Sequence, residues 1–121
     1  MQRKSFLRGA LALAVTAGCA GTALAQGPSL IRFVVPYPAG GAADQITRLG
    51  VYDAAPALGT PIVVVNKGGA AGMIAAEQVL RAEADGATFF VGANAPMVIN
   101  QAIYTKMPYD PEKDFVPVAG M

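Results

Sequence analysis

The chain has 121 residues, with nine Lys and Arg against eight Asp and Glu, one Cys and no His. Without histidine, neither a Ser-His-Asp nor a Cys-His nucleophile can be assembled, and the commonest metal ligand is missing. A single cysteine excludes an internal disulfide, and the net charge of +1 becomes −2 once Arg3, Lys4 and Arg8 are set aside, which gives binding to a nucleic-acid backbone no electrostatic footing.

The first 25 residues read as a secretory signal peptide rather than as part of a fold. Arg3, Lys4 and Arg8 make a basic start, Leu11 to Leu24 is apolar and small, and Ala23-Leu24-Ala25 precedes Gln26 as an A-x-A cleavage site. The apolar run is too short, and too broken by Gly18 and Gly21, for a comfortable membrane span. Cys19 follows Ala17-Gly18 as in a lipoprotein signal, but Thr16 stands where a large aliphatic residue is wanted. Cleavage after Ala25 is therefore the reading, and export to the periplasm the expectation. The remaining segment, 26–121, keeps six Lys and Arg against eight Asp and Glu, a net charge of −2, and loses Cys19. It is long enough for one small domain, which buries about 60–65% of its unfolded surface.

Leu30 to Val35 (LIRFVV) is β-branched and apolar and stops at Pro36, which predicts a strand. The first helix is predicted from about Ala42 to Leu58. Gly50 costs about 1 kcal/mol relative to Ala in a helix interior and Pro56 about 3 kcal/mol, so a kink, or an end near Asp53, is expected. Ile62 to Val65 (IVVV) predicts a second strand. Asn66-Lys67-Gly68-Gly69 then reads as a left-handed turn carrying a solvated lysine. A second helix from about Ala71 to Ala84 places Met73, Ala75, Ala76, Val79 and Leu80 on one arc, pairs Glu77 with Arg81, and stops at Asp85-Gly86. Thr88 to Val91 (TFFV) is a third strand. Pro96 to Tyr104 suits a short helix, Met107 to Lys113 is turn-rich, and Phe115 to Val118 looks like a strand beginning. Strands without polar alternation suit a parallel sheet covered on both faces, joined by right-handed βαβ crossovers.

In such sheets ligands bind beyond the carboxyl ends of the strands, where loops enter helix N-termini. The loops are Pro36 to Asp44, Asn66 to Gly72 and Gly92 to Pro96, all rich in Gly, Ala or Asn. The first, PYPAGGAAD, offers bare backbone that could cradle a carboxylate at Gly40, Gly41 and Ala42 with N–H groups and the helix dipole. It is neither a Walker loop, since no GK[ST] follows, nor a G-x-G-x-x-G dinucleotide fingerprint. Asp44 reads first as a helix cap or a holder of the loop. Asn94 and Asn100 could reach a polar ligand, though local backbone satisfaction is the plainer reading of each. Tyr37 and Tyr104 suit rim packing, and Asp110, Glu112 and Asp114 a solvated turn. No acid/base pair, metal site or cofactor site emerges.

Together "IRFVVPYPAGGAAD", "LGTPIVVVNKGGAAGMIAAEQV" and "ADGATFFVGANAPMVINQAIYTKMPYDPEKDFVPV" resemble the extracytoplasmic solute receptors of tripartite tricarboxylate transporters, the Bug-type periplasmic binding proteins. The resemblance implies an α/β fold, the βαβαβ parallel-sheet portion of a type II periplasmic-binding-protein-like domain, truncated at its C-terminus. It implies a monomeric receptor, not an enzyme, that holds a small di- or tricarboxylate or amino acid without cofactor and hands it to membrane transporter subunits. The ligand-binding positions it implies are Tyr37, Pro38, Gly40, Gly41, Ala42, Ala43 and Asp44 on the first loop, with Asn94 and Ala95 on the third. The chain departs from the family pattern in lacking a hydroxyl residue near Ala42-Ala43, in carrying Gln101 where proline is usual, and in Gly50 and Pro56. Family members are also longer and carry a second domain, so negligible affinity for dicarboxylates is expected of 26–121 alone. The alternatives are a small exported α/β enzyme using Asp44 as general base, or a nonfunctional truncated product.

Overall fold

A computed structural model describes residues 27–120. The predicted signal peptide and Cys19 lie outside these residues. Three strands, β1 (Ile31–Val35), β2 (Ile62–Asn66) and β3 (Thr88–Phe90), form one sheet in the order β2-β1-β3. Both pairings are parallel, with Phe33 opposite Val64 on one side and Phe89 on the other. Between the strands lie α1 (Ala42–Leu58) and α2 (Met73–Leu80), the latter preceded by a 3₁₀ turn at Ala70–Gly72. The expected strand–helix alternation and parallel sheet are therefore observed. Because β2 and β3 flank β1 on opposite sides, right-handed crossovers put α1 and α2 on opposite faces of the sheet.

The core is built on β1. Val34 and Val35 are almost wholly buried, Ile31 nearly so, and Ala75 and Ala76 of α2 are closed off completely. Small side chains on α2 let the helix lie close to β1 and β3. Parallel register places Phe33 beside Phe89, and their rings stack at 5.2 Å. Phe90 lies on the other face and meets Phe115 at 5.2 Å, while Tyr109 closes edge-on against Phe115. Covering of the sheet is incomplete at β2, where Val63 is 44% exposed.

The first helix does not kink or stop at Asp53. It runs unbroken through Gly50 and Pro56 to Leu58. Pro56 lies in the last turn, where its lost N–H removes a single bond. Gly59, at φ 60°, ends the helix with a left-handed cap whose N–H bonds the Ala55 carbonyl. The second helix is shorter than its periodicity implied, ending at Leu80 rather than Ala84. Ala82 N–H bonds the Val79 carbonyl, tightening the final turn, and the chain then doubles back so that the Ala87 carbonyl meets Arg32 N–H at 2.7 Å. Gly86 does take positive φ, 76°, but in the turn before β3 instead of at the helix stop. Glu77 and Arg81 form the expected ion pair.

After β3 the chain is helical, as a π-helical turn Ala95–Ile99 continuing into α3 (Asn100–Ile103), with Pro96 in its first turn. Residues 115–118 form no strand. Phe115 is instead drawn sideways onto Phe90 and Tyr109, and Val116 and Val118 are exposed. In the turn at 110–114 Glu112 and Asp114 are exposed as expected, while Asp110 is half-buried and Pro111 buried, and Lys113 Nζ lies 2.6 Å from Asp110 Oδ2. No helix among the described residues is long and apolar enough to cross a membrane.

Candidate ligand-binding site

The chain leaves β1 for a neighbour on one side and returns past it to β3 on the other. The region beyond the carboxyl ends of β1 and β3 is thus the topological switch point, the usual ligand position of a doubly wound sheet. The three loops meet there around Gly72. A Cβ at this glycine would lie 3.1 Å from the Cβ atoms of both Pro36 and Pro96, and one at Gly68 would lie 3.9 Å from Pro38 Cδ. Gly72 has φ 87°, so both backbone conformation and space require glycine.

The first loop turns at Gly40, φ 83°. Its amide does not face a ligand freely, because Gly40 N–H donates to Asp44 Oδ2 at 2.8 Å. Gln45 Nε2 donates to the Gly40 carbonyl at 2.8 Å, and Gly41 N–H makes a long bond to the Pro38 carbonyl at 3.4 Å. The amides of Gly40 and Gly41, expected to be open to a ligand, are therefore already occupied within the loop. Ala42 and Ala43 are first-turn residues, whose N–H groups have no intrahelical acceptor, and no acceptor among the described residues reaches them. Ala42 is exposed and Ala43 half-buried. Pro38 is exposed and Tyr37 half-buried.

Asp44 is not the N-cap. Gly41 occupies that position and makes no side-chain cap bond. Asp44 stands in the first helical turn, 2% exposed, and reaches back to hold the loop. Both its oxygens lie 3.0 Å from Arg48 Nε, and Oδ1 accepts from Asn66 Nδ2 at 2.9 Å. The Arg48 contact first, then the Gly40 amide and the Asn66 amide, hold its carboxyl at about 2, below the ordinary 3.8. The charge that would repel an anion at this helix start is therefore neutralised locally. Thr47, also fully buried, turns its hydroxyl inward onto the Ala43 carbonyl at 2.6 Å.

Asn66 is the residue that composition of the loops did not single out. It is not part of a left-handed turn but the last residue of β2, opposite Val35. Positive φ begins only at Gly69 (122°) and continues through Ala70 (46°), Ala71 (51°) and Gly72. Lys67 is exposed, as expected. Asn94 is exposed and Ala95 half-buried, at the start of the third loop's helix. Asn100 is buried, and its amide bonds a carbonyl on another loop, that of Ala71, rather than local backbone. Burial raises the Tyr109 hydroxyl above its ordinary 10.0, with the Asn100 side chain opposing. The Tyr109 hydroxyl donates to the Pro96 carbonyl at 2.6 Å, bracing the third loop. Among the described residues no cluster of His, Cys, Asp and Glu could hold a metal ion.

Known proteins are similar to this chain in sequence and fold. A UPF0065 protein from the tcbD–tcbE intergenic region of a Pseudomonas species is 36% identical over 88 residues, 73% of this chain and 26% of the relative. BugT of Bordetella pertussis is 33% identical over 90 residues, covering 74% and 28%. Among solved structures, MatC from Rhodopseudomonas palustris with bound malate superposes with a TM-score of 0.71 at 39% identity, over 75% of this chain and 31% of that one. A second R. palustris protein, solved with adipate, gives 0.67 at 34%, over 72% and 29%. A structure described as a periplasmic transporter gives 0.65 at 43%, over 68% and 28%. The chain thus spans between a quarter and a third of the length of these relatives. The family model for the tripartite tricarboxylate transporter family receptor matches residues 46–121. The chain belongs to this receptor family.

Proposed function

We propose that the chain provides the carboxylate-cradling part of a periplasmic solute receptor, which captures a small organic acid for delivery to the membrane subunits of a tripartite tricarboxylate-type transporter. The observation that carries this reading is the first turn of α1. Two amides without acceptors, at Ala42 and Ala43, stand at the switch point beside an aspartate already neutralised by Arg48. A carboxylate there gains N–H donors and the positive end of a long helix without needing a cationic side chain. Malate and adipate in two related structures fit the same ligand chemistry. Tyr37 and Pro38 would form the rim, Gly40, Gly41 and Asp44 would shape the loop, and Asn94 and Ala95 would line the crevice from the third loop.

Use of Asp44 as a general base fits the geometry poorly. The group is buried, accepts from three partners and is held near 2, far from the range in which a base works at neutral pH. The receptor reading is tested by recording amide spectra of the isotopically labelled chain during titration with malate, against equal ionic strength of chloride. Because the chain spans only part of its relatives and negligible affinity is expected of 26–121 alone, the titration is carried to high malate concentration, where shifts confined to 37–44 and 93–96 are expected. Shifts that are absent, or spread over the whole chain, would overturn it.

A further inference from the structure

We propose that Asn66 is a positioning residue for the anion-facing loop, locking the Tyr37 carbonyl and the Asp44 carboxylate into one arrangement before any ligand arrives. This rests on the receptor reading. Asn66 is itself fixed by the sheet, since it pairs in register with Val35 and the next amide, Lys67 N–H, bonds the Val35 carbonyl at 2.8 Å. From this anchor Nδ2 donates to the Tyr37 carbonyl at 3.2 Å and to Asp44 Oδ1 at 2.9 Å, while Oδ1 accepts from Arg48 Nη2 at 3.1 Å.

The chemistry demands a side-chain amide. Two donors and one acceptor on a short side chain are available only from asparagine. Aspartate would lose both donors and place a second negative charge against Asp44. Alanine would leave the Asp44 carboxylate with fewer donors in a nearly closed site. In either case Asp44 is freed to move from Gly40, and the loop loses the bond that sets its turn. The first-turn amides then face an anion from a loop that must be ordered on binding, which lowers affinity. Asn66 need not touch the ligand to act in this way.

The test compares the full labelled chain with N66D, N66A and, as a distant control, the exposed-surface variant Gln78→Ala. Wild-type Gly40 amide proton shift is expected to follow the titration of Asp44 at acid pH. In N66D and N66A the titration midpoint should rise and exchange of the Gly40 amide should quicken about tenfold or more, as for loss of bonds to a charged group. The amides of Lys67 and Val91, which bond across the sheet, should keep their protection, a separation that general destabilisation would not produce. The malate response at Ala42 and Ala43 should weaken by a similar factor, and Gln78→Ala should match wild type throughout. An unchanged Gly40 titration and exchange in a folded N66D chain would overturn the proposal. Should N66A not fold, N66D and Asn66→Ser decide by the same criterion. A wild-type chain unresponsive to malate would sink the receptor reading, while the Gly40 comparison would still decide the positioning role.

Discussion

The side-chain amide of Asn100 donates to the Ala71 carbonyl at 3.0 Å, joining the helix after β3 to the loop after β2. Ala71 and its neighbour Ala70 hold φ of 51° and 46°, left-handed backbone that residues with a Cβ adopt at about 1–2 kcal/mol each. Asn100 is 1% exposed, so the bond is made out of water and its loss is not made good by solvent. Asn100→Ala should therefore lower stability by about 1–3 kcal/mol, read as a lower urea midpoint at unchanged slope. A loss below a few tenths would mean that packing alone holds the strained loop.

Ala71→Gly tests the strain itself. In an ordinary helix this exchange destabilises by about 1 kcal/mol. At Ala71 the removal of left-handed strain opposes the added freedom of the unfolded chain, so the net change should lie between zero and about 1 kcal/mol of stabilisation. Ala76→Gly, in the buried face of α2, is the contrasting variant and should destabilise. Both are measured by the same urea titration, and equal losses at the two positions would refute the strain argument.

These two positions also mark where reading the sequence succeeds and fails. IRFVV, IVVVN and TFF are short β-branched or aromatic runs bounded by Pro, Gly and Asp, so strand identity and the βαβαβ order are legible from local chemistry. So is the placing of the glycine-rich loops at the strands' carboxyl ends. Partnerships between loops are not legible. Asn66 and Asn100 look like turn residues, yet each bonds a carbonyl 29 residues away, and only the fold brings those carbonyls near. The Gly40 amide looked available for a ligand because nothing local says that Asp44 turns back onto it. Pro56 misled for a different reason: its penalty applies to a helix interior, and here only the last turn bears it. Phe115 to Val118 has strand composition, but the Phe115 ring packs on Phe90 and Tyr109 and the backbone pairs with no strand.

Tyr109 offers a prediction at the third loop. Its ring packs edge-on against Phe115 at 5.8 Å, and its hydroxyl donates to the Pro96 carbonyl in a nearly closed site. Tyr109→Phe keeps the ring and should cost about 1 kcal/mol, whereas Tyr109→Ala removes the packing too and should cost about 3–5 kcal/mol. The folded-state value lies above 10.0, because burial disfavours the phenolate. A raised value means that the folded chain holds the proton more tightly than the unfolded one. This contribution to stability is complete below pH 10 and falls as pH rises through the folded value. Ultraviolet difference titration of wild type against Tyr109→Phe should show the missing tyrosine ionising late. An ordinary or early ionisation would contradict its burial.

Asp44 gives the opposite sign at acid pH. Its folded value is about 2 against 3.8 for an ordinary aspartate, so the unfolded chain binds the proton first as acid is added. The stabilisation from Arg48, Gly40 and Asn66 is therefore complete above about pH 4 and lost as pH falls from 3.8 through about 2. Asp44→Asn keeps the size of the side chain but removes the charge and one pair of acceptor sites. It should be less stable than wild type at neutral pH, and the two unfolding midpoints should converge as pH approaches 2. Arg48→Gln removes the group that lowers the Asp44 carboxyl most and should move its titration back toward 3.8. The network is electrostatic and half open at Arg48, whose side chain is 51% exposed, so salt should weaken the Arg48 contribution and leave the amide bonds from Gly40 and Asn66 largely in place. A wild-type to Asp44→Asn difference that stays constant from neutral pH down to 2 would show that the carboxylate charge does not hold this loop.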